Sequence, residues 1–104
     1  MDPVVEHARQ EWEDSARRLE AAAPDADRYD RLRQQVEVVT AELRRRVGET
    51  FTLAQLAAAY VDADAWSRDA LADSSPPPGW ARTLSLVEGA AFHDYARGAV
   101  DYGP

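Results

Sequence analysis

Along residues 3–47, apolar or small side chains recur at steps that alternate between three and four, and this spacing constrains the fold more than any other feature. The spacing is typical of the a and d positions of a helical heptad, whereas a strand would need every second residue to be apolar. It predicts two amphipathic helices joined by a break at Pro24, because proline ends a helix near the preceding residue. The positions are Val5, Ala8, Trp12, Ser15, Leu19 and Ala22 in the first helix, and Tyr29, Leu32, Val36, Val39, Leu43 and Val47 in the second.

Capping residues stand at the outer ends of these two helices. Asp2 precedes Pro3, and an acidic N-cap followed by proline at the first helical position is a common helix start. Gly48 follows the second seam, at the place where many helices end in a left-handed glycine. Because the connection at Pro24 is short, the two helices are expected to pack as an antiparallel hairpin over residues 3–47.

Length and composition narrow the functional classes. The 104 residues are enough for one domain, and 45% of them are hydrophobic. The sequence contains no cysteine, which excludes disulfides, thiolate metal ligands and cysteine nucleophiles. No apolar run approaches the roughly 18 residues of a membrane span, and the N-terminus lacks a signal-peptide pattern, so we expect a cytoplasmic protein. The formal net charge of −7 argues against non-specific binding to nucleic acid.

Residues 50–101 are predicted to form a smaller helical lobe. Thr52 and Gln55 have the spacing of a capping box, so a third helix should start at Thr52. Asp62 and Asp64 favour an interruption of this helix, with Asp64 as the cap of a new helix that runs through Trp66 to Ala72, and a single helix that runs to Ala72 is the alternative.

The last helix is expected to begin near Thr83 or Ser85, with Ser85 and Glu88 as a second capping box. The sequence as a whole predicts an all-α fold of four or five helices in a single domain, residues 1–104. An N-terminal antiparallel hairpin would join a small aromatic-rich C-terminal lobe. Seven aromatic residues support that lobe: Phe51, Tyr60, Trp66, Trp80, Phe92, Tyr95 and Tyr102.

Residues 52–72 also have the rhythm of a helix-turn-helix motif, in which a turn joins a capped short helix to a second helix. The second helix of such a motif reads bases through Arg, Lys, Asn or Gln side chains. Here it would carry Asp64, Asp69 and a single Arg68. DNA binding is therefore the alternative function, and packing in the core is the simpler interpretation of this segment.

The tip of the predicted hairpin carries Asp25 and Asp27. An antiparallel helix pair with two acidic residues at its tip resembles the coiled-coil hairpins of proteins that insert into the secondary channel of RNA polymerase. The resemblance implies a role in the regulation of transcription. The simpler explanation is that these carboxylates cap the start of the second helix, where the helix dipole favours negative charge.

Two further groups of polar residues are candidates for binding. Arg44, Arg45 and Arg46 could bind a phosphate or an acidic partner, although cations also stabilise the last turn of a helix. His7 and His93 lie far apart in the sequence, and no metal-ligand spacing or catalytic set accompanies them. We therefore expect no cofactor, no metal site and no enzymatic activity.

Three segments resemble small helical proteins of unassigned function from actinobacterial genomes. They are FTLAQL at residues 51–56, Trp66, and AFHDYARG at residues 91–98. Because those proteins have no assigned activity, the resemblance implies no mechanism.

The expected function is a non-enzymatic protein–protein interaction or regulatory module that presents its helical hairpin, with transcription machinery as one setting. Its candidate interaction residues are the two aspartates of the tip and the three consecutive arginines. The partner is expected to be another protein or a second copy of the chain, because a heptad seam can close on another helix and Trp12 is large for a two-helix seam. Binding to nucleic acid or to a membrane is not expected.

Overall fold

The computed structural model describes residues 2–21, 26–74, 76 and 79–101, with side chains up to residue 97. Four α-helices account for nearly all of this part of the chain, and it contains no strand. The helices are α1 (Pro3–Ala21), α2 (Ala26–Val47), α3 (Leu53–Ala72) and α4 (Trp80–Asp101). The prediction of an all-α protein with four or five helices is confirmed.

Capping residues set three of the helix ends, as the sequence predicted. The Asp2 carboxylate accepts a hydrogen bond of 2.9 Å from the Val4 amide at the start of α1. Gly48 ends α2 with a φ of 91°, a left-handed conformation that favours glycine. At the start of α3, the Thr52 hydroxyl accepts from the Gln55 amide at 3.1 Å, and the Gln55 side chain accepts from the Thr52 amide at 2.9 Å.

Thr52→Ala is expected to destabilise the chain by about 1 kcal/mol, because the first turn of α3 then loses the acceptor for one of its free amides. Urea unfolding followed by circular dichroism measures this cost. Thr52→Ser keeps the acceptor oxygen and serves as the control, with a cost well below that of alanine. Equal costs for the two variants would show that the capping bond contributes nothing.

The middle of α3 differs from the prediction, because no interruption occurs and the helix is continuous from Leu53 to Ala72. Ala63 and Trp66 are buried on the inner side, and their packing holds the backbone helical through this stretch. Asp64 accepts a 3.2 Å hydrogen bond from Arg68 one turn later, so the carboxylate that was expected to cap a new helix stabilises the existing one.

The start of α4 also differs from the prediction. The helix begins at Trp80, after Gly79 with its φ of 79°, and the Arg82 amide already donates to the Gly79 carbonyl at 3.0 Å. Ser85 therefore lies inside the helix and is exposed, and Glu88 is buried. The predicted capping box between these two residues does not form.

The two N-terminal helices pack mainly on α4 and least on each other, in contrast to the predicted hairpin. Arg33 of α2 donates to Asp94 of α4, and the hydroxyl of the next residue, Tyr95, donates to the carbonyl oxygen of Gly48, directly after α2. Arg33 and Gly48 are 15 residues apart in the chain, so α4 contacts both the first half of α2 and the residue that follows this helix. Eight of the described seam residues of α1 and α2 are buried, Trp12 and Val36 among them, and Ser15, Tyr29 and Val47 are half-buried.

An aromatic cluster forms the centre of the core, and Phe92 lies in its middle. The Phe92 ring centroid is 5.5 Å from that of Trp12, 5.0 Å from Tyr60 and 6.2 Å from Trp66. An aromatic core was predicted for the C-terminal part alone, but Trp12 of α1 also packs in it, against Tyr60 and Phe92. The separation into hairpin and lobe that the sequence suggested is replaced by one shared core.

Candidate functional site

Of the two aspartates at the predicted acidic tip, one is among the described residues. Asp25 lies outside the described residues. Asp27 lies in the first turn of α2, where its exposed carboxylate is well placed to interact with the helix dipole. The resemblance to hairpin tips that enter RNA polymerase therefore stays a prediction.

The three consecutive arginines do not form one basic patch. Arg45 and Arg46 donate to the same Glu42 carboxylate oxygen at 3.1 and 3.0 Å. The Arg46 guanidinium also lies over the Trp66 ring, 5.1 Å from its centroid, which is a cation–π contact. Arg44 is exposed. Two of the three arginines thus have structural roles at the end of α2.

A shallow groove between α1 and α4 is lined in part by His93. Two adjoining hollows, of about 60 and about 290 Å³, share Glu13 and His93 in their lining. The His93 Nδ1 atom is 3.6 Å from the Asp94 carboxylate, too long for a hydrogen bond. Acidic and basic residues alternate along the rim, so the groove does not select ligands of one charge.

The outer face of α3 is a continuous apolar surface that no motif in the sequence indicated. We define it by four exposed side chains at helical spacing: Ala54, Ala58, Val61 and Ala65. Val61 lies near the middle and is 78% exposed. The face is roughly 16 Å long at 1.5 Å per residue. A helix that is apolar on most sides is usually packed against other elements or partners on most sides. The apolar composition of α3 is therefore the feature of the sequence that indicates a binding face here.

Charged residues flank this face with an acidic excess. Asp62 and Asp69 are exposed beside it, and Asp64 pairs with Arg68. The face therefore combines small apolar side chains with a negatively charged border, an arrangement suited to contact with an apolar surface that has a basic border.

The helix-turn-helix interpretation of residues 52–72 lacks its central element, because this segment forms one helix without a turn. A single helix cannot place a second, recognition helix in a DNA groove in the manner of that motif. Among the described residues, no three His, Asp or Glu side chains are grouped so that they could hold a metal ion. None of the helices in the described part has both the length and the apolar character to cross a membrane.

The resemblance to small actinobacterial helical proteins stays a prediction. Comparisons with protein-family models, with curated proteins and with solved structures give no match to this chain, so its function is inferred from its own residues.

Proposed function

We propose that the chain is a protein–protein interaction module and that the outer face of α3 is its binding surface. The observation that carries the proposal is the exposure of Val61 among exposed alanines on a helix whose opposite side is fully packed. Single exposed apolar residues are ordinary, but a stripe at helical spacing on one rigid helix offers a continuous contact surface. Small side chains also allow a partner helix to approach closely.

The partner that best fits this face is another protein with an apolar groove and basic residues at its border. Self-association through the same face would bring Asp62 and Asp69 of one copy near the acidic border of the other, and like charges oppose such contact. The net charge of −7 acts in the same direction. The proposed link to transcription machinery rests only on the two aspartates of the predicted hairpin tip, Asp25 and Asp27.

Matched alanine substitutions test the proposal. Ala58→Asp places a charge in the outer face of α3, and Ala41→Asp places the same charge at an exposed position of α2. Both changes replace an exposed alanine inside a helix and cost similar helix propensity. We expect Ala58→Asp to lose the proteins that the wild-type chain captures from a cell lysate, at least tenfold by quantitative mass spectrometry, and Ala41→Asp to retain them.

The same captured proteins should dissociate as salt is raised, because the acidic border contributes to binding. Sedimentation velocity at several concentrations measures self-association in parallel, with a monomer as the expected result. Identical capture by the two variants, or a dimer that Ala58→Asp does not disrupt, contradicts the proposed binding face.

A further inference from the structure

Glu88 is a carboxyl group inside the packed interface between α3 and α4. Its residue is 5% exposed, and its Oε1 atom lies 2.6 Å from the Ser67 hydroxyl, which is fully buried. Ser67 also contacts the Ala63 carbonyl oxygen one turn earlier in α3. A chain of three oxygen atoms thus links the backbone of α3 to the side chain of α4.

The protonation state of Glu88 decides how many hydrogen atoms are available to join these three oxygen atoms. The Ser67 hydroxyl has one hydrogen and can donate it to either the Ala63 carbonyl or Glu88. Both contacts are satisfied together only when Glu88 is protonated, donates to the Ser67 oxygen and leaves Ser67 free to donate to Ala63. An ionised Glu88 takes the Ser67 hydrogen for itself and brings a buried negative charge into the interface.

The charged groups around Glu88 also favour its neutral form. From α3, Asp64 and Tyr60 face it, with Arg68 as the nearby cation. From α1, Glu11 faces the Tyr60 hydroxyl, and His7 lies 3.2 Å from Glu11. Burial is the largest cause that raises the pKa of Glu88 to about 7; Asp64 acts in the same direction, and the Ser67 hydrogen bond and Arg68 oppose it.

We propose that the Glu88 carboxyl is a proton-dependent contact that controls how firmly α3 is held against α4. The neutral carboxyl completes the hydrogen-bonded chain through Ser67 and stabilises the helix pair. Ionisation near neutral pH breaks the hydrogen-bonded link through Ser67 and weakens the packing of α3 against α4. The inference is independent of the proposed binding function, because every readout below is made on the isolated chain.

The stability that this contact supplies has a defined pH window. In the unfolded chain the carboxyl returns to its ordinary pKa of 4.5, so between pH 4.5 and about 7 the folded state binds more protons than the unfolded state. Stability from Glu88 is therefore complete below pH 4.5 and is lost as pH rises to about 7. We expect the folding equilibrium constant of the wild-type chain to fall roughly 50- to 100-fold from pH 5 to pH 8, relative to a Glu88→Gln variant.

Two measurements test the proposal. Carbon NMR of the labelled side-chain carboxyl should give a midpoint near 7 for Glu88. Hydrogen exchange of α3 amides, corrected for the intrinsic effect of pH, should show protection that declines as pH rises from 5 to about 7 in the wild type and levels off above that. Glu88→Gln, which keeps the size and cannot ionise, should remove this decline, and Glu13→Gln should keep it.

Ser67→Ala provides a second variant in case Glu88→Gln folds poorly. Because Ser67→Ala removes the hydroxyl that joins Glu88 to the backbone of α3, the decline in α3 protection with rising pH should be smaller in this variant than in the wild type. A wild-type midpoint near 4.5 would overturn the proposal, as would a decline in α3 protection that persists unchanged in Glu88→Gln.

Discussion

Replacement of Phe92 by alanine is expected to destabilise the chain by about 3–5 kcal/mol, the largest effect of any single substitution proposed for this protein. Phe92 is fully buried, and its ring contacts Trp12 of α1 and both Tyr60 and Trp66 of α3. Its removal therefore loses packing between three helices at once. Aromatic pairs add roughly 0.5–1.5 kcal/mol each beyond the area that they bury.

Phe51→Ala is the matched control for this experiment. Phe51 is half-buried, and among the described residues its ring stacks on that of Tyr95 alone, with centroids 4.7 Å apart. We expect its loss to cost about half as much as the loss of Phe92, or less. Urea unfolding of both variants, read by circular dichroism and by tryptophan fluorescence, gives the two free energies. A larger cost for Phe51→Ala would contradict the central position of Phe92 in the core.

The second large effect is expected from Gly89→Ala, a change that would stabilise most helices. In a helix interior, alanine is favoured over glycine by about 1 kcal/mol. At position 89, however, the added Cβ atom would lie 2.1 Å from the Ser15 hydroxyl oxygen and 2.3 Å from the Ser15 Cβ atom. Helices α1 and α4 must then separate, and we expect a net loss of about 1–3 kcal/mol. For a domain of this size, each kcal/mol lowers Tm by roughly 4–8 °C.

A swap of residues between the two helices tests the cause of that loss. Ser15→Gly combined with Gly89→Ala leaves one glycine and one Cβ atom at the contact, so the stability should return to near the wild-type value. Ser15→Ala combined with Gly89→Ala should not restore it, because the Ser15 Cβ atom, itself part of the overlap, remains. A double-mutant cycle measures the coupling. Equal stability of the two double variants would show that the contact does not limit the approach of α1 to α4.

Local features of the sequence were sufficient to predict the helical elements. The caps at Asp2, Gly48 and Thr52 depend on neighbouring residues within four positions, so they could be identified without knowledge of the fold. The errors at Asp64 and Ser85 arose where a good capping residue lay within a helix that packing keeps continuous. Tertiary contacts decided those two positions against local preference.

The candidate binding surfaces could be predicted less well than the helices from the sequence. The three arginines at the end of α2 form a cluster of like charge in the sequence, which predicted a binding site. In the fold, Glu42 pairs with two of them, and one of these two also lies over the Trp66 ring. Val61 gave no signal by itself, because an apolar residue in a helix is more often buried than exposed. Glu88 was interpreted as a capping residue, and only the position of α3 shows that its carboxyl is enclosed.

The heptad seams on residues 3–47 determined by themselves that α1 and α2 would be amphipathic helices and which of their faces would be buried. They could not determine which helix would cover each face, because periodicity describes one helix and packing requires a complementary surface on another. That choice was made by the tertiary structure. Gly89 allows α4 to approach α1 closely at Ser15, and Phe92 provides the ring on which Trp12 stacks. The predicted hairpin partner α2 packs mainly on α4 instead, where Asp94 accepts from Arg33 and the Tyr95 hydroxyl donates to the Gly48 carbonyl.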